Sequence, residues 1–117
     1  MATFQIQSPA PGTTFPTGSV IEANGGHSLD LNSRVWAILR DIYGHYYLQN
    51  PPVTLHMNGT WNAKNIHLGH DIVEILFVNV SAKGNDEFLR KVSHQEWGAF
   101  DNFPAGTDIL GRVSIRV

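Results

Sequence analysis

Apolar and polar side chains alternate along this chain in short runs broken by Gly, Pro, Asn and Ser. Extended runs separated by turn residues at roughly 8–12-residue spacing are the pattern of an all-β sandwich or barrel. Phe4 and Ile6 alternate with Gln5 and Gln7 in a first strand, which Ser8-Pro9-Ala10-Pro11-Gly12 breaks. Prolines 9, 11 and 16 cannot donate to a ladder, so this stretch belongs on an edge. A weaker strand, Val20 to Ala23, is expected to end in a turn at Asn24-Gly25-Gly26. Val35 to Arg40 is the third, with Trp36 and Ile38 on one face and Val35, Ala37 and Leu39 on the other. Ile42 to Gln49 follows around a tight turn at Tyr43-Gly44-His45, and Pro51-Pro52 stops it.

Asn58-Gly59 is a hairpin-type turn leading into Trp61 to Leu68. Trp61 and Ala63 fall at odd positions and Ile66 and Leu68 at even ones, so a β-bulge near Lys64-Asn65 must reconcile the two phases. Ile72 to Val80 is apolar on both faces and reads as a central strand covered on each side, interrupted by Glu74 and Asn79. In the last strand, Ile109 to Val117, Val113, Ile115 and Val117 face inward while Arg112, Ser114 and Arg116 face water. One helix is expected between these two strands, over Asn85 to Trp97. Asn85 or Asp86 would cap it, with acids in the first turn, and Phe88, Leu89 and Val92 would form its apolar stripe. Gly98 marks its end.

At 117 residues the chain has the length of one domain, and folding buries roughly two-thirds of the unfolded surface. An apolar share of 42% with a net charge of −2 excludes disorder and gives no basic footprint for nucleic acid. No apolar run approaches the ~20 residues that span a bilayer, so no membrane insertion is expected. There are no cysteines, which removes disulfides, thiolate nucleophiles and sulfur-ligated zinc. The N-terminal residues carry no basic and apolar leader regions, so the default expectation is cytoplasmic, or exported if the sequence is a piece of a longer chain.

Seven or eight strands with one short helix before the last strand predict an immunoglobulin-like antiparallel β-sandwich. Ser8-Pro-Ala-Pro-Gly12 resembles the opening of bacterial immunoglobulin-like and fibronectin-III-like domains. Val35-Trp36 resembles their core strand-C tryptophan, and Asn58-Gly-Thr-Trp61 resembles their D-G-T-W turn. The resemblance covers most of the chain. No tyrosine corner precedes Ile72, and the helix is an insertion that ordinary members lack. What the resemblance implies is an architecture with binding or spacing roles; it carries over no catalytic residues.

The chemistry-bearing residues give three readings. Scattered carboxylates, no G-x-S-x-G elbow and no phosphate loop argue against an enzyme. Among six histidines, His67-Leu-Gly-His70-Asp71 is the tightest group and could bring two imidazoles and a carboxylate to one ion, but only with a further ligand such as His27 or His45. No cofactor and no resident metal are therefore expected. The aromatic residues are more informative. Tyr43, Tyr46 and Tyr47 crowd one hairpin, while Trp97, Phe100 and Phe103 crowd the segment before the last strand beside Asp101 and Asn102. The leading expectation is a non-catalytic module for protein–protein interaction or self-association. The alternative is carbohydrate binding, with Tyr46, Tyr47, Trp97, Phe100, Asp101 and Asn102 as the ligand-binding set, because rings stack on sugar faces while amides and carboxylates take hydroxyls.

Overall fold

The computed structural model describes residues 2–117, and the alternation is realised there as nine strands and one helix. The strands are β1 (Phe4–Ser8), β2 (Thr13–Thr14), β3 (Val20–His27), β4 (Val35–Asp41), β5 (Tyr46–Leu48), β6 (Thr54–Leu55), β7 (Thr60–His67), β8 (Ile72–Asn79) and β9 (Asp108–Arg116). Helix α1 (Ala82–Ser93) lies between β8 and β9. One sheet has the order β1-β3-β7-β6 and the other β2-β9-β8-β4-β5. The expected seven or eight strands become nine because two-residue segments, β2 and β6, also pair. Pairing is antiparallel except between β2 and β9, which run parallel. The proline-rich stretch carries the chain from the edge of one sheet to the edge of the other, consistent with residues that cannot donate to a ladder.

Between the sheets lies an inner core. Trp61, Ala63 and Ile66 of β7 and Ala23 of β3 meet Val35, Ala37 and Leu39 of β4, Ile75 and Phe77 of β8, and Val113 and Ile115 of β9. Trp61 stacks on Phe4 with centroids 4.7 Å apart and lies 4.7 Å from Phe77. The expected turn at Asn24-Gly25-Gly26 is instead continuous strand, paired with both β1 and β7. The glycine there serves a close approach rather than a reversal. The Trp61 indole crosses it to donate from Nε1 to the Gln5 carbonyl at 2.9 Å, and a Cβ on Gly25 would overlap that carbonyl. The phase switch in β7 is a bulge at Lys64-Asn65. Ile21 pairs with Ile66 and Ala23 with Ala63, so β7 carries the extra residue, and Asn65 adopts φ 57° to make room.

A second apolar layer covers the far face of the five-stranded sheet. Trp36 and Ile38 of β4, Leu76 and Val78 of β8 and Leu48 of β5 are buried there against Phe88 of α1. Trp36 is thus fully buried, but beneath the helix; the large ring between the sheets is Trp61. This second layer is why β4 and β8 are apolar on both faces.

The helix begins three residues earlier than the sequence suggests and ends at Ser93, so Trp97 lies beyond it. Ser81 caps it by accepting from the Gly84 N–H at 3.1 Å, and no acid occupies the first turn. Asn85 serves the core instead, because its Oδ1 accepts from the buried Trp36 Nε1 at 2.9 Å. The face turned to the sheet is Gly84, Phe88 and Val92, spaced by four, while Leu89 is 46% exposed. Glu74 lies on this same face of the sheet, nearly buried between Arg40 at 2.9 Å and Arg112 at 3.5 Å. Among the described residues no helix is long and apolar enough to cross a membrane.

Candidate functional site

The features that could bind a ligand converge at one margin of the molecule, beside β5. That strand has only three residues, and Pro51-Pro52 stands just beyond it. Its outer edge is occupied by the segment that follows α1. Tyr46 N–H donates to Phe100 O and Phe100 N–H donates to Tyr46 O, both at 2.9 Å. This reciprocal pair brings together the two aromatic groups that lie far apart in the sequence. Tyr46 then packs on Phe103 and Phe100, at centroid distances of 4.5 and 5.8 Å, as part of the outer layer. Lys91 Nζ stands 5.4 Å from the Phe100 centroid.

Tyr47 points the other way, toward the space between the sheets, and its hydroxyl donates to Asp41 Oδ2 at 2.9 Å. Asp41 Oδ1 accepts from the Tyr43 and His45 N–H groups, each at 2.9 Å, which pins the β4–β5 turn. Burial pushes the Asp41 carboxyl up. The donors from His45, Tyr47 and Tyr43 outweigh it and hold the group below its ordinary 3.8. The same bond to Asp41, reinforced by burial, raises the Tyr47 phenol. His45 Nδ1 lies 2.7 Å from Asp101 Oδ1, tying the turn to the Trp97-bearing segment. That bond raises the His45 imidazole against the opposing effect of burial, with the Asp101 and Asp41 charges adding to it.

Inside this margin is a groove of about 630 Å³, within the range of small-molecule sites. It opens where the two sheets part. β6 pairs with only Trp61 and Asn62 of β7, so the rest of that strand, Asn65 and His67 included, flanks the opening. The buried Leu39 and Ile72 form its apolar floor, Tyr47 and the 45%-exposed Trp97 are its aromatic walls, and Asn50 and His70 complete the rim. Gln49 is structural here: its Oε1 accepts from the His67 N–H at 2.8 Å and its Nε2 donates to Leu48 O at 3.1 Å. On the edge of β7 beyond β6, the His67 N–H is thereby satisfied without a neighbouring strand.

Of the residues singled out from the sequence, Tyr47 and Trp97 line the groove. Tyr46 and Phe100 are largely committed to the outer layer, Asp101 is engaged by His45, and Asn102 is exposed away from the lining. Asn50 and Asn65 were not anticipated. The bulge at Lys64-Asn65 was the available signal for Asn65, because a bulged residue leaves the ladder and re-aims its side chain. His67 and His70 both line the groove. Among the described residues, however, no three His, Asp or Glu side chains are grouped to hold an ion. His27 is turned instead to the His56 carbonyl and the Leu29 N–H. Comparison with protein-family models, curated proteins and solved structures finds no match for this chain.

Proposed function

We propose that this chain is an immunoglobulin-like, non-catalytic binding module whose ligand occupies the groove beside β5. The strand order supports the immunoglobulin-like assignment. Taken in sequence, β1-β3-β7-β6 corresponds to the A-B-E-D sheet of that architecture, and β9-β8-β4-β5 corresponds to G-F-C with an added C′ strand. The observation that carries the binding reading is the groove itself, which combines an apolar floor, a half-exposed tryptophan and unengaged polar side chains.

The test is an NMR titration of the isotopically labelled chain with a library of saccharides, short peptides, nucleosides and small aromatics. Binding in the groove moves the Trp97 indole N–H together with the Asn65, His67 and His70 amides, saturably. A library that leaves all of these resonances unmoved overturns the proposal.

Self-association is the second reading. It is favoured by β1, which ends its sheet with one edge unpaired, and by Ile42 and Tyr43, which are 54% and 72% exposed. Light scattering distinguishes it: a mass that rises above 13.0 kDa with concentration supports self-association, and a constant monomer mass removes it.

A further inference from the structure

The lining of the groove selects among ligand classes. None of its side chains is Lys, Arg, Asp or Glu. The lining therefore holds no guanidinium or ammonium donor for an anion and no carboxylate for a hard cation, and Asp71, between the lining residues His70 and Ile72, stands outside it. The Asp41 carboxylate nearby is fully engaged, holding Tyr47 and the β4–β5 turn. What remains is Asn50, Asn65, His67 and His70, whose side chains make no hydrogen bond to the described residues. Amides and imidazole rings offer both donors and acceptors. A hydroxyl does the same, so a ligand rich in hydroxyls matches this set group for group.

The aromatic wall makes the same selection. Trp97 presents about half of its surface at the rim, and an indole face suits the C–H face of a pyranose ring. An extended peptide is the competing polar ligand, since it too both donates and accepts. Its usual mode of capture is as an added strand. At β5 that place is already filled, because Phe100 holds the Tyr46 N–H and C=O.

We infer that the occupant is a neutral saccharide, one ring stacked on Trp97 and its hydroxyls bonded to Asn50, Asn65, His67 and His70. This rests on the groove being a binding site, as proposed above, and adds the ligand's class and the residues that recognise it. Within the set anticipated from the sequence it retains Trp97, confines Tyr47 to a wall, and moves the polar contacts from Asp101 and Asn102 to the β5–β6 loop, β7 and the β7–β8 loop.

The experiment is calorimetric titration with neutral tetrasaccharides (gluco-, manno-, galacto- and N-acetylglucosamine-based), alongside sulfated and sialylated counterparts, followed by NMR mapping of any binder. At least one neutral saccharide is expected to bind, moving the groove resonances. Trp97→Ala should then weaken binding at least tenfold, and Trp97→Phe less. Asn65→Gly keeps the positive φ available while deleting the amide, and should weaken binding several-fold with an unchanged circular dichroism spectrum. Binding that survives Trp97→Ala undiminished, or a charged saccharide that binds more tightly than its neutral counterpart, overturns the inference. If no saccharide binds but peptides, nucleosides or aromatics from the wider library move the groove resonances, the saccharide class falls while the binding site stands. If nothing moves them, both fall.

Discussion

Phe88 and Leu89 are adjacent in sequence and similar in hydrophobicity, yet the structure assigns them opposite energetic weight. Phe88 is 1% exposed, edge-on to Trp36 at a centroid distance of 5.5 Å and 6.0 Å from Phe100. Truncating it to Ala removes a buried ring and opens a cavity against Trp36, which costs roughly 3–5 kcal/mol. Leu89 already keeps 46% of its surface in water, so Leu89→Ala gives up only about half of a full leucine burial, about 1 kcal/mol. With a urea slope near ~1.5 kcal/mol/M, the first variant shifts the unfolding midpoint by roughly 2–3 M and the second by less than ~1 M. Tryptophan fluorescence in a urea series reads both. Total stability for a domain of this size is about 5–15 kcal/mol, so Phe88→Ala can leave little folded protein. Phe88→Leu, expected to cost about 1–2 kcal/mol, then supplies the measurement. Equal midpoints for the Ala variants, or a larger loss at Leu89, would show that the helix turns a different face to the sheet and would refute the outer layer as described.

Two further outcomes follow from the same packing. Gly25→Ala forces β1 or the Trp61 ring to move and should destabilise by more than about 2 kcal/mol. Gly26→Ala, whose Cβ would sit 3.5 Å from the Gly59 carbonyl, should cost far less; equal thermal shifts for the two would refute the close approach at Gly25. The Asp41 and His45 shifts place opposite slopes on stability against pH. Asp41, lowered when folded, stabilises above its ordinary 3.8 and loses that contribution as pH falls through its folded value, whereas His45, raised when folded, contributes fully below 6.5 and loses that as pH rises through its folded value. Melting temperature against pH should accordingly flatten on the acid side in Asp41→Asn and on the neutral side in His45→Gln, and unchanged profiles would refute both assignments.

The strands were legible because a period of two is a local property. The alternation in β1, β7 and β9 is written residue by residue, β4 and β8 show as runs apolar on both faces, and even the bulge in β7 shows as a change of phase. Several features were not legible because a side chain's role depended on a partner elsewhere. Asn24-Gly25-Gly26 has the composition of a turn, and only the approach of the Trp61 indole explains why glycine lies mid-strand. Asn85 has the character of a helix cap, yet the buried indole of Trp36 claims it and Ser81 caps instead. Tyr46, Tyr47, Trp97 and Phe100 could be suspected as a group from their type. Which of them line a groove depended on Tyr46 and Tyr47 pointing to opposite sides of β5, a parity that three residues are too short to reveal against their surroundings.

The helix and the groove have a common origin. β5 and β6, with three and two residues, are too short to close the side of the sandwich, and the chain between them is held by Pro51-Pro52, which cannot donate to a ladder. An opening therefore remains between the sheets, while Trp36, Leu76 and Val78 leave an apolar surface on the outside of β4 and β8. The segment between β8 and β9 answers both. Its helical part covers the outer surface through Gly84, Phe88 and Val92, and its irregular part returns along β5, pairs with Tyr46 and sets Trp97 at the mouth of the opening. A segment needed only as a cover could have ended at Phe88 and Val92. Carrying it further blocks the β5 edge at Tyr46 against another strand while leaving the space behind Tyr47 open, which is the combination that the proposed saccharide site needs.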